Sequence, residues 1–209
     1  MNAEIELLDY RRRVAEMYAR LRNGAAGMET KWEQFKHARD QLFKEHAQSA
    51  LSEQQRGDFR PLEYFPYDAK WRFAVKVNEA VERDVIEVPL QDDGLFRMQR
   101  FGRVEFEAGP QLVSLYVYWV LGYGGGLFLP FRDGTGKTGE TYGGGRYLLD
   151  SIKGADLGIE DGKLVLDFNF AYNPSCAYHP RWHCPLPPQE NWLDVKIEAG
   201  EKVYSGFES

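Results

Sequence analysis

An α+β fold, with N-terminal helices packed on a mostly antiparallel β-barrel or β-sandwich-like domain, follows from three features of the sequence. Apolar residues recur at helical spacing up to about residue 68 and with a period of two from about Trp71 onward. The candidate strands are short and separated by Gly, Asp and Asn, whereas a parallel crossover needs roughly a dozen residues or more. No linker divides the chain, so residues 1–68 read as a helical segment and 69–209 as an antiparallel β-domain of a single unit.

The first helix is carried by Leu7, Tyr10, Val14, Met17 and Leu21, an amphipathic stripe stopped by Asn23-Gly24. Its length covers about two heptads, so the stripe packs either on its own domain or on a second copy. Thr30 and Glu33 form a capping box for a second helix, with Trp32, Phe35, Leu42 and Phe43 on one side. Ser52 and Gln55 repeat that pattern for a short third helix ended by Gly57. His37 and His46 fall in the second helix and are expected at the surface.

Strands are expected over 71–77, 84–90, 96–101, 126–131, 145–150 and 163–171. Alternation at Val104 and Phe106, and again at Leu193, Val195 and Ile197, marks further half-buried strands. The strand over 113–121 has apolar Val113, Leu115, Val117, Trp119 and Leu121 on one face and Tyr116 and Tyr118 on the other, so it is covered on both sides. The triple glycines at 124–126 and 143–145 open strands and point to sharp bends.

Composition excludes some functions. With 43% hydrophobic and 14% aromatic residues the chain can build a large core, which argues against disorder. Lys and Arg number 26 against 32 Asp and Glu, a net charge of −6, which argues against nucleic acid as partner. The N-terminal stretch is acidic where a signal peptide is basic, and no apolar run approaches a membrane span, so a cytoplasmic protein without membrane contact is expected. Two cysteines are too few for a disulfide framework.

Gly136-Lys137-Thr138 has the look of the end of a phosphate-binding loop. Phe131 stands where that loop needs its first glycine, and the glycines at 139 and 143–145 oppose the helix that must follow. The stretch reads instead as a hairpin tip turning at Asp133-Gly134.

The polar residues dense enough for chemistry lie between 164 and 195. In a strand over 163–171, Asp167 and Asn169 project side by side, about 7 Å apart, opposite Leu164, Leu166, Phe168 and Phe170. A carboxylate and an amide within an apolar strand need partners, and Arg146 is the nearest expected donor, followed by the hydroxyls of Tyr147, Tyr172 and Tyr178. One reading is an Asp–Arg pair that pins the following loop through Asn169 and Asn173. The other is a small-molecule pocket. In it Arg146, Tyr147, Tyr172, Asn173 and Tyr178 hold a substrate, with an anionic group on Arg146, and Asp167 and Asn169 are the catalytic pair, Asp167 as general base or orienter.

Pro174, Pro180, Pro185, Pro187 and Pro188 stiffen the next loop, which carries Cys176, His179, His183 and Cys184. Four readings stay open for these: a pair of free thiols, a disulfide, a catalytic cysteine with a histidine base, and a zinc site. Adjacent His183 and Cys184 point apart in an extended segment, which weighs against zinc.

Tyr142-Gly143-Gly144-Gly145-Arg146-Tyr147-Leu148, Asp167-Phe168-Asn169, Ala171-Tyr172-Asn173-Pro174, Cys176-Ala177-Tyr178, Cys184-Pro185-Leu186, Pro188, Asn191 and Ala199-Gly200-Glu201-Lys202 together resemble the signature of a bacterial and archaeal family of unknown function, DUF1684. The resemblance implies membership and no particular reaction or cofactor. It implies further that Cys176, Cys184, Asn191 and Glu201 are structural, and it leaves His179 and His183 outside the shared pattern, so no metal is expected. The expected function is therefore a small-molecule binding or catalytic pocket. Its rivals are a non-enzymatic interaction protein that homodimerises through the N-terminal helices, and a zinc site in the Cys176–Cys184 loop.

Overall fold

The computed structural model describes residues 2–91 and 94–206. Helix α1 spans Ala3–Arg22, capped by the Asn2 side chain, which accepts from the Ile5 amide at 3.1 Å, and it ends at Asn23. Helix α2 spans Met28–Glu45. It starts a turn earlier than the Thr30 box predicts, because extended Gly27 takes the cap position and its carbonyl accepts from Lys31 at 3.0 Å. Helix α3, Glu53–Gly57, has the expected reciprocal box: Gln55 N donates to Ser52 Oγ at 3.1 Å and Ser52 N to Gln55 Oε1 at 2.7 Å.

The strands are β1 (Arg72–Val75), β2 (Val85–Pro89), β3 (Leu95–Ala108), β4 (Gln111–Val120), β5 (Gly126–Phe131), β6 (Arg146–Asp150), β7 (Ile159–Glu160) and β8 (Lys163–Asp167). They form two antiparallel sheets, β2-β3-β4-β5-β6 and β1-β8-β7. Neither sheet closes on itself, so the β-domain is sandwich-like and not a barrel.

The main core lies where the sheets face each other. Phe168 is fully buried at its centre, with ring centroids of Phe73 at 6.1 Å, Phe106 at 5.0 Å and Phe131 at 5.2 Å, so one side chain meets residues of both sheets. Truncating such a residue to Ala costs about 3–5 kcal/mol. As expected, β4 is covered on both faces, Leu115 and Val117 facing this core and Tyr118 a second cluster with Met98, Phe128 and Tyr147. Met17, Tyr18, Leu21, Trp32, Phe35 and Leu42 of the helices pack with Phe170, and Tyr10 and Val14 join them. The α1 stripe is thus covered by its own chain from Tyr10 onward, while Leu7 is exposed.

Four local expectations are corrected. The strand over 163–171 stops at Asp167, whose carboxylate accepts from the Asn169 amide at 3.0 Å and caps a 3-10 turn over Phe168–Phe170. Residues 193–197 alternate but form no strand. Their backbone is claimed elsewhere: Leu193 N donates to Arg132 O at 2.7 Å, Ile197 N to Asp133 Oδ2 at 2.7 Å, and Ile197 O accepts from Arg146 at 3.1 Å. The stretch after Asp133 is one helical turn, α4 (Gly134–Lys137), not a bare hairpin tip, because the Asp133 side chain caps it through Thr135 N at 3.2 Å. His46 is buried rather than on the surface, its Nε2 lying 3.3 Å from Asp9 Oδ2. No helix among the described residues is long and apolar enough to cross a membrane.

Candidate functional site

The polar residues that the sequence groups into one site are distributed over three buried centres. The first surrounds Arg146, which enters β6 directly after Gly145. Gly145 has φ of +95°, and a Cβ there would lie 2.6 Å from the Phe131 carbonyl, so the bend requires glycine. Fully buried Arg146 donates through Nη2 to Asp133 Oδ1 at 3.1 Å and to the Ile197 carbonyl at 3.1 Å. Through Nη1 it donates to the carbonyls of Ala199 and, at 3.3 Å, Glu201. Its partner is Asp133, not Asp167, because β6 belongs to the five-stranded sheet and β8 to the other. The two terminal nitrogens of the guanidinium are spent on three consecutive odd-numbered carbonyls and one carboxylate, which fastens the C-terminal segment to the sheet.

The second centre joins Asp167 and Asn169. Asp167 Oδ1 accepts from Asn169 Nδ2 at 2.8 Å, and Asn169 bonds the Asp68 backbone through Oδ1 at 3.0 Å and Nδ2 at 2.9 Å. The Asn169 carbonyl accepts from Trp32 Nε1 at 3.2 Å. These bonds tie the end of β8 to the segment before β1 and to α2. Asp167 Oδ2 is buried without a partner in the chain. Burial pushes the carboxyl up to about 6, against the opposing bonds from Asn169 and the charge of Arg72.

The third centre collects Tyr172, Asn173, Tyr178 and Glu201 around a residue that the sequence did not single out, Arg39 of α2. Arg39 Nη2 donates to Glu201 Oε2 and to the Tyr178 hydroxyl, each at 3.0 Å, and Tyr178 donates in turn to Glu201 Oε1. Asn173 N donates to Glu201 Oε2 at 3.2 Å, and Asn173 Nδ2 to the Lys202 carbonyl at 2.8 Å. The guanidinium lies 5.2 Å from the Tyr172 ring and 4.6 Å from the Phe43 ring. Burial alone would weaken its charge, but Glu201 and the surrounding tyrosines hold its pKa well above the usual value.

Around this pair, buried polar atoms lack partners in the chain: the hydroxyls of Tyr18, Tyr64 and Tyr172, Arg39 Nε and Asn173 Oδ1. All three hydroxyls lie within electrostatic reach of Arg39, and Tyr18 within reach of the other two. Burial raises each of these phenols, so all are neutral. An unmade bond at a buried polar atom costs about 1–3 kcal/mol, so their concentration in one place calls for an explanation. Beside the same cluster, a cleft of about 290 Å³ opens between α1 and α2, floored by Met17, Leu21 and Phe35. Phe35 meets the Tyr18 ring at 5.4 Å.

A signal for Arg39 was present in the sequence. Trp32, Phe35, Arg39 and Leu42 step by three and four, so Arg39 stands on the buried stripe of α2 where a charge must have a partner. Tyr18 and Tyr64 carry no such signal, since tyrosine in an apolar stripe is ordinary core material.

The remaining candidates are placed as follows. Tyr147 is buried against Tyr172 and Phe128 and donates to the Pro185 carbonyl at 2.8 Å. Asn191 is fully buried and fastens the proline-rich loop to β4 and β5, accepting from Tyr116 N at 2.8 Å and donating to the Tyr116 and Pro130 carbonyls at 2.9 and 2.7 Å. Cys176 and Cys184 are free thiols, both half-buried. Among the described residues no three His, Cys, Asp or Glu side chains converge on a metal-sized point.

The family model described as a protein of unknown function, DUF1684, matches residues 57–202. An uncharacterized protein of Haloarcula marismortui, solved by solution NMR, superposes with a TM-score of 0.57 at 31% sequence identity, covering 83% of this chain and 93% of its own. No curated protein matches. The matched family span contains Tyr64, Arg146, Tyr172, Asn173, Tyr178 and Glu201, while Tyr18 and Arg39 precede it.

Proposed function

The chain belongs to the DUF1684 family of proteins of unknown function, and from its polar core we propose that it binds a small, neutral, oxygen-bearing molecule between the N-terminal helices and the β-domain. One observation carries this reading: three tyrosine hydroxyls without partners in the chain lie within electrostatic reach of an arginine that is already neutralised. Those hydroxyls and Arg39 Nε offer donors, and Asn173 Oδ1 an acceptor, a set that suits carbonyl and hydroxyl groups.

The charge balance at Arg39 and Arg146 favours a neutral ligand over the anionic one expected from the sequence. Arg39 is matched by Glu201 and Arg146 by Asp133, so neither of these buried guanidiniums is free to balance an added carboxylate or phosphate. Met17, Leu21 and Phe35 line the cleft between α1 and α2 and pack with Tyr18, so the reading puts the approach there, with these three to cover an apolar portion of the ligand. Asp167 and Asn169 lie at a separate centre, and the proposal is one of binding, in the cytoplasmic setting expected from the sequence. A thermal-shift panel of polyols, neutral carbonyl compounds, carboxylates and phosphates tests it. Stabilisation by neutral members that Tyr18→Phe abolishes supports the reading, and a response confined to anions removes it.

A second reading has one observation in its favour. Ile5 and Leu8, in the first turns of α1, are 52% and 61% exposed, and they would suit docking of a second copy through that helix. Light scattering that shows a monomer at high concentration would remove this reading.

A further inference from the structure

The two thiols lie apart from the Arg39 cluster and are used by neither reading above. Cys184 Sγ accepts from the Cys176 backbone N–H at 3.4 Å. The Cys176 thiol and the Ser175 amide also face its sulfur, and Lys153 adds a positive charge nearby. The Tyr142 hydroxyl stands 3.6 Å from Cys176 Sγ, and the Tyr147 hydroxyl faces Cys184. Both cysteines keep partial solvent contact. The loop between them is anchored at its tip, where Trp182 Nε1 donates to the Ala50 carbonyl at 2.8 Å and Arg181 Nη2 to the Ser49 and Leu51 carbonyls at 3.2 and 3.1 Å.

Structural cysteines are inert when sealed in apolar surroundings, whereas reactive ones sit among donors and positive charge with solvent access. Cys184 meets the second description. We propose that Cys184 is a nucleophilic thiolate with Cys176 as its resolving partner, and that the pair undergoes thiol–disulfide exchange with low-molecular-weight disulfides.

The chemistry balances in two steps. The Cys184 thiolate attacks one sulfur of a disulfide R–S–S–R, forming a Cys184–S–S–R mixed disulfide and releasing R–S⁻. Cys176, losing its proton to solvent, then attacks Cys184 Sγ, forming the Cys176–Cys184 disulfide and releasing the second R–S⁻. Two protein thiols are oxidised and one disulfide is reduced to two thiols. The order of attack follows from the hydrogen bonds. The bonds donated by Cys176 and the backbone lower the Cys184 thiol to about 7, while donation to Cys184 is the foremost cause that raises Cys176. Once Cys184 is capped by R–S, that restraint on Cys176 is gone and it becomes free to ionise.

The test uses the full chain and oxidised glutathione as probe, followed by intact mass and peptide mapping under native conditions. The wild type should lose two hydrogens without keeping an adduct, and the first modified residue should be Cys184, at least about tenfold faster than Cys176 at pH 7. Cys176→Ser should hold a stable glutathione adduct on Cys184, and Cys184→Ser should react more slowly by about the same factor. The first step should lose half its rate near pH 7, with Cys176, Tyr142, Tyr147 and Lys153 the titratable or charged groups that face the sulfur. Modification of Cys176 first, equal rates at the two cysteines, or reaction only after unfolding would overturn the proposal. Mapping on the wild type keeps the result decisive if either variant folds poorly.

Discussion

Arg39 of α2 and Glu201, 162 residues further along, form a buried ion pair at 3.0 Å that joins the N-terminal helices to the C-terminal segment. Tyr178 and the Asn173 amide complete the hydrogen bonds of the carboxylate, which is the condition under which a buried pair is tolerated. Arg39→Met should therefore cost about 3–5 kcal/mol, because it leaves Glu201 charged, buried and short of donors. The double variant Arg39→Met/Glu201→Met should lose clearly less than the sum of the two single variants. Urea denaturation of the four proteins measures the difference, and strict additivity would mean that the pair is not coupled.

Arg146 should behave as a fold-fixing residue. Arg146→Ala leaves the buried Asp133 carboxylate without its counter-charge and three carbonyls short of a donor, for a loss of about 3–5 kcal/mol. Arg146→Lys should recover little of that loss, since an ammonium cannot span the same fork. Thermal unfolding of both variants decides the point: an unchanged midpoint for Arg146→Ala would mean that the residue does not fasten the segment 197–201.

Asp167 should give stability a pH dependence opposite to that of an ordinary ion-paired carboxylate. Its folded pKa of about 6 lies above the ordinary 3.8, so the folded chain keeps a proton that the unfolded chain gives up. The contribution is fully present below about pH 4 and is lost as pH rises through about 6, amounting to about 3 kcal/mol for two pH units. Asp167→Asn should accordingly gain on the wild type by up to that amount between pH 4 and 7. Parallel stability curves from urea titrations across that range would contradict the assignment.

The readable parts of this sequence were those fixed by local spacing. The α1 stripe from Tyr10 to Leu21, the Ser52 box and strand β5 all follow from neighbours within a few residues. Leu193 to Ile197 show the limit: alternation states which side chains point inward, but not which groups take the backbone, and here Arg132, Asp133 and Arg146 take it. The pairing of Arg146 failed for the same reason, since the choice between Asp133 and Asp167 depends on which sheet each strand joins. Tyr172, Asn173 and Tyr178 were legible as a group, and Glu201 only through the family resemblance, yet the residue at their centre lies on a helix more than 130 residues away in sequence. Only its charge on an apolar stripe betrayed it.

The most direct test of the central claim compares Tyr18→Phe/Tyr64→Phe with the wild type in both stability and ligand response. Each substitution removes a hydroxyl that has no partner in the chain, so the double variant should be as stable as the wild type, or more stable by about 1–2 kcal/mol. It should also lose the thermal shift that neutral polyols or carbonyl compounds give the wild type. A double variant that is destabilised by several kcal/mol, or that keeps the full ligand response, would contradict the account, because the hydroxyls would then serve the fold or nothing at all.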